Sequence, residues 1–151
     1  MYFQRPLRTG ARSIAARVCE SLASLDAGSG SLGLRNRAER ALARDDFMRA
    51  VGMANEMLLL KAVELRGLAG DYDLLNRNAR DEVYRQTGLP GAPRAGPYSA
   101  RDNFRTLNYL RNAVMHPDGG IADKGMPRGI NSADDMRSLL SWSLAFYDFL
   151  A

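Results

Sequence analysis

Apolar residues recur at three- and four-residue spacing along nearly every long segment of this chain, and that pattern restricts it to helices. Ile14, Val18, Leu22 and Leu25 mark one stripe, and Leu42, Phe47, Val51, Ala54, Leu58, Ala62 and Leu65 trace another. No segment sustains a period-two alternation, and valine, isoleucine and threonine are scarce, so strands have no support. At 151 residues the chain is the size of one domain and can bury a single core. The expected fold is all-α, a compact bundle of about five helices. It is read as one domain over residues 1–151, with 1–10 as an N-terminal tail.

Glycine, proline and capping residues place the boundaries. A first helix is expected over about Ala11–Leu25. The stretch Ala27–Gly33 reads as a flexible linker, and it lacks the Gly-Lys-Ser/Thr ending of a phosphate loop. The second and longest helix is expected over Asn36–Gly67, with Met48, Met53 and Met57 packing beside its apolar face. Gly52 is expected to kink it or admit another helix closely. A third helix over Asp71–Thr87, stopped by Gly88 and Pro90, is thin in apolar residues and should leave one side to solvent. After a Gly/Pro loop from Gly88 to Pro97, Ser99 and Asp102 form a capping-box-like start to a fourth helix. That helix should reach His116, where Pro117 and Gly119-Gly120 prevent continuation. The last helix starts at Ser132, with Asp134 and Asp135 at the positive end of its dipole. It is apolar on more than one side, which places it at the bundle centre or at a subunit interface through Trp142 and Phe146.

Nineteen arginines stand against two lysines, Lys61 and Lys124, and the net charge is +4. Arginine binds phosphate through two parallel donors and stacks on bases, which suits a nucleic-acid partner. A GC-rich genome produces the same skew without a functional cause. No apolar run approaches the ~18 residues of a membrane span, so a soluble protein is expected. Cys19, the one cysteine, cannot form an intramolecular disulfide and reads as a buried thiol, for which a reducing cytoplasm is the expected compartment. The first nineteen residues are basic and acid-free; they share this with mitochondrial presequences, and equally fit a first helix with a basic outer face. One histidine and one cysteine make no zinc cluster, and no cofactor fingerprint is present, so neither metal nor cofactor is expected. Asp45 and Asp46 point about 100° apart on a helix and read as solvated.

The chemistry-bearing residues gather on the fourth helix. Phe104, Leu107, Leu110 or Arg111, and Val114 form its expected buried face. Arg101, Arg105, Asn108, Asn112 and His116 follow one another by four, three, four and four residues, so they share a side. His116 is the only histidine in the chain. Asn112, four residues before it, can bond the imidazole and fix its tautomer. Arg111 lies five residues before it, about 140° round an ideal helix, yet a long side chain near the helix end can reach the same phosphate. A histidine with a pKa of about 6.5 suits proton transfer, and an arginine suits a phosphorane oxyanion. A histidine at a helix terminus also serves as an ordinary C-terminal cap.

The run Arg111-Asn112-Ala113-Val114-Met115-His116 resembles the R-x4-6-H motif of the HEPN family of ribonucleases. The match covers that motif and, more loosely, the helical order of the whole chain. The resemblance implies a helical bundle that dimerises so that two motifs form one metal-independent RNA-cleaving site. On that basis Arg111 stabilises the scissile phosphate, Asn112 supports the geometry and His116 transfers protons, with Arg101, Arg105 and Asn108 binding RNA. The implied role is a toxin or defence effector, with RNA, a second copy and an antitoxin or regulatory protein as partners. The alternative is a non-catalytic module of the same fold that binds RNA, a nucleotide or a protein. Members paired with a nucleotidyltransferase antitoxin often carry tyrosine two residues after the histidine, where this chain has Asp118. The family often adds an acid from an earlier helix, and Glu56, alone in the middle of the long apolar helix, is the candidate.

Overall fold

A computed structural model describes residues 30–115 and 127–150. The expected first helix, Cys19, His116 and Asp118 lie outside the described residues. Within them are five helices and no strand: α1 (Gly30–Ala43), α2 (Phe47–Arg66), α3 (Tyr72–Thr87), α4 (Ala100–Met115) and α5 (Ala133–Phe149). None is long and apolar enough to cross a membrane.

α2 packs against each of the other four helices. Ala50, Val51, Ala54, Met57, Leu58 and Ala62 are buried along it, so small and large apolar residues alternate where neighbours close in. Phe104 and Leu107 from α4, and Leu139, Leu140 and Phe146 from α5, complete the core. Trp142 stacks on Phe146 with ring centroids 5.1 Å apart and donates its indole N–H to the Pro93 carbonyl at 2.9 Å. Trp142 and Phe146 are therefore core residues, 3% and 0% exposed, and are not available to a subunit interface.

The long helix expected over Asn36–Gly67 is two helices joined by a tight turn. Asp45 adopts a left-handed backbone (φ 58°), the Asp45 N–H donates to Leu42 O at 3.0 Å, and the Asp46 N–H to Ala41 O at 2.9 Å. These two bonds are the Schellman closure of a helix C-terminus, here with aspartate in place of the usual glycine. The Asp45 carboxylate is held by Arg137 of α5 through two bonds of 3.2 and 3.0 Å, which keeps its pKa below the usual carboxylate range. Asp46 then caps α2 by accepting the Arg49 N–H.

Part of the expected linker, from Gly30 to Gly33, is the first turn of α1. Ser31 is buried there, donating its N–H and hydroxyl to the Glu64 carboxylate at 2.9 and 2.6 Å and meeting the Tyr147 hydroxyl at 2.8 Å. A Cβ on Gly30 would collide with that carboxylate, and its φ of +35° independently favours glycine. The methionine expectation holds in part: Met57 is fully buried, whereas Met48 is 65% exposed at the start of α2. Among the described residues no helix comes close to Gly52, since a Cβ built there meets nothing within 4 Å.

Candidate functional site

α4 places the site. Its first turn is capped by the Ser99 hydroxyl, which accepts the Asp102 N–H at 3.1 Å. Phe104 and Leu107 turn fully into the core, while Leu110, Arg111 and Val114 are half-buried. Asn103 and Thr106 are buried as well, which apolar periodicity does not anticipate. The Thr106 hydroxyl donates to Asp102 O at 2.8 Å, and the Asn103 amide donates to Ser99 O at 2.9 Å. The Asn103 carbonyl accepts Arg128 Nη1 at 2.7 Å, and the Arg128 guanidinium lies 4.4 Å over the Tyr98 ring. Arg128 is only 5% exposed, so segment 127–131 is tied to α4 through a buried cation.

The other flank of α4 opens onto a cavity of about 360 Å³ between α2, α3 and α4. Four residues of α4 that the sequence reading singled out line it: Arg105, Asn108, Arg111 and Asn112. Arg101 lies outside the lining and covers the Tyr84 ring at 5.0 Å. Asn55 and Leu59 enter from α2, Asn76, Arg80 and Tyr84 from α3, and Tyr109 from α4. No acid is among the described lining residues. An amide relay crosses the cavity wall: Asn55 Nδ2 donates to Asn108 Oδ1 at 2.6 Å, and Asn108 Nδ2 donates to the Tyr84 hydroxyl at 3.4 Å.

Arg111 does not stand free. Its Nη2 donates to Glu56 Oε2 at 3.0 Å, with side chains 15% and 17% exposed. Burial pushes the Glu56 carboxyl above its usual range, and the opposing pull of Arg111 is the smaller effect. Arg111 Nε is also buried and has no partner among the described residues. The guanidinium therefore sits at a cavity wall with one donor engaged and another unsatisfied, a costly arrangement that an added acceptor would relieve.

Three arginines, two tyrosines and four asparagines form a lining suited to an anion joined to a planar group. The guanidiniums answer a phosphate, the tyrosine rings offer stacking faces, and the amides match the mixed donor and acceptor edges of a base. Among the described residues, no three His, Cys, Asp or Glu side chains converge as metal ligands would. Asn55 was findable as a lone amide in an apolar helix. Arg80 and Tyr84 carry no such signal, because α3 is polar round most of its circumference. Compared with known proteins, the chain matches no family model, no curated protein and no solved structure.

Proposed function

We propose that this chain is a metal-independent endoribonuclease of the HEPN type, acting through Arg111 and His116. One observation carries the reading: the arginine of the motif is fixed by Glu56 at the wall of a cavity rich in arginine, tyrosine and asparagine. A surface arginine beside a helix-capping histidine has no need of such surroundings.

The reaction follows from these groups. The ribose 2′-hydroxyl gives up its proton and its oxygen attacks the adjacent phosphorus. The bond to the 5′-oxygen breaks, and that oxygen takes a proton. The products are a 2′,3′-cyclic phosphate and a 5′-hydroxyl. His116 handles the protons, Arg111 the added phosphate charge, and Asn112 the imidazole orientation. One histidine per chain does not readily act as base and acid at once, so two copies meeting across a two-fold axis complete the machinery. An RNase of this kind needs restraint in its own cell, which fits a toxin or defence effector held by an antitoxin or regulatory protein.

A non-catalytic module binding RNA, a nucleotide or a protein is the second reading, favoured by one fact. Arg111 already has a carboxylate partner, with which a phosphate must compete. Affinity and turnover separate the two. In the enzyme, His116→Ala abolishes cleavage and keeps most RNA affinity, while Arg111→Ala lowers both. If the wild type binds RNA as tightly as His116→Ala and neither cleaves, the module is correct.

A further inference from the structure

A second concave surface, of about 300 Å³, opens beside the α1–α2 turn. Arg37 and Arg40 of α1, Arg44 of the turn that follows it, and Asp46 and Arg49 at the start of α2 line it. Arg37, Arg40 and Arg44 are spaced by three and four, and the Arg44 N–H still donates to Arg40 O at 3.2 Å, so the end of α1 presents them together. Arg49 is paired with Asp46 at 3.5 Å, and the other three form no ion pair among the described residues. Four guanidiniums against the single carboxylate of Asp46 leave the hollow with an excess of positive charge that no ion pair among the described residues balances. A polyanion is attracted by that excess.

The hollow and the Arg111 cavity are neighbours on α2. Arg49 and Glu56 are seven residues apart, which is about 10.5 Å of rise and about 20° of rotation. They share a face. Gly52 lies between them in height, on the side that turns toward Asn55 and Leu59 of the cavity. It is the one position of α2 that carries no side chain, and no described residue comes within 4 Å of a Cβ built there. Glycine inside a helix lowers stability, and no contact at Gly52 among the described residues offsets this.

We infer that the arginine hollow and the bare surface at Gly52 form a track that binds the phosphodiester backbone of single-stranded RNA and leads it to Arg111. The track rests on the ribonuclease reading for its end point only. Charge complementarity selects this occupant over a second copy, because two such faces meeting would oppose four arginines with four arginines.

The test uses fluorescence anisotropy with a labelled single-stranded RNA of about twelve nucleotides, over a range of salt. Arg40→Ser/Arg44→Ser alters two exposed side chains, and thermal melting verifies the fold. Its affinity is expected to fall about tenfold, and the slope of log affinity against log salt by about 1.4 for two lost contacts. Arg40→Lys/Arg44→Lys should keep most of the binding. Gly52→Leu, which fills the open surface, should bind several-fold more weakly with no loss of thermal stability. Cleavage of a dinucleotide should be unchanged in all of these. If no protein cleaves any substrate while the serine variant still loses RNA affinity, the ribonuclease reading falls and the track stands. The track is overturned if the wild type does not bind the RNA, or if the serine variant binds with wild-type affinity and slope. It is equally overturned if that variant dissociates a dimer in sedimentation while RNA affinity is untouched.

Discussion

Arg111 of α4 and Glu56 of α2 are joined by a 3.0 Å ion pair that protein covers on most sides. The pair sets the direction of the guanidinium before any ligand arrives, and its cost falls on the carboxylate, whose pKa burial raises. The native state therefore holds the Glu56 proton more tightly than the unfolded chain does. Stability should fall as pH rises from the ordinary carboxylate value, about 4.5, through the raised value, and be level beyond it. Glu56→Gln removes that titration. Subtracting its urea midpoints from those of the wild type at a series of pH values should leave a difference that declines with pH across this window. Glu56→Ala, which leaves a guanidinium partly buried and unpaired, should cost about 1–3 kcal/mol at neutral pH.

Asp45 combines a left-handed backbone with an exposed two-bond tie to Arg137. Replacement by alanine keeps the backbone strain and loses the tie, so Asp45→Ala should lower the denaturation midpoint. Asp45→Gly loses the tie but relieves the strain, and should be close to neutral. Chemical denaturation of the two variants side by side is the measurement. Equal losses would mean that the backbone at this turn is unstrained.

The turn at Asp45 shows where the sequence is opaque. No glycine or proline marks residues 44–46, and apolar spacing runs through them unbroken, so two helices read as one. Aspartate supplies the left-handed residue, and the Arg137 contact that holds it comes from 92 positions away. The start of α1 was hidden for the same reason, since Ser31 is secured by Glu64 and by Tyr147, 116 positions on. Boundaries set by local caps were legible: Gly67, Asp71, Ser99 and Ser132 all stand at helix ends. At the cavity, a single helix period was enough to assemble Arg105, Asn108 and Asn112. Glu56 was singled out by the resemblance, as the one acid in the middle of an apolar helix; its contact with Arg111, 55 positions on, depends on how α2 and α4 pack. Arg80 and Tyr84 were missed because their place depends on how α3 packs.

Gly52 is predicted to be a stabilising site. With open space beyond it, Gly52→Ala should raise stability by about 0.5–1 kcal/mol through helix propensity alone. A thermal melt decides it, and a loss of stability would mean that the surface over Gly52 is covered.

The Arg128 guanidinium lies 4.4 Å over the Tyr98 ring while reaching the Asn103 carbonyl. Lysine has neither the planar surface nor the fork to do both, so Arg128→Lys should cost about 1–3 kcal/mol despite the retained charge. Urea denaturation of this variant is the check, and a change below about 0.5 kcal/mol would place Arg128 among ordinary surface residues.

The central claim is that this chain cuts RNA through Arg111 and His116. Its most direct test is incubation of mixed RNA with purified wild type, His116→Ala and Arg111→Ala in EDTA, followed by analysis of the new ends. The expected result is cleavage by the wild type alone, leaving 2′,3′-cyclic phosphates and 5′-hydroxyls. Intact RNA with folded wild-type protein, or equal cleavage by all three proteins, would contradict it.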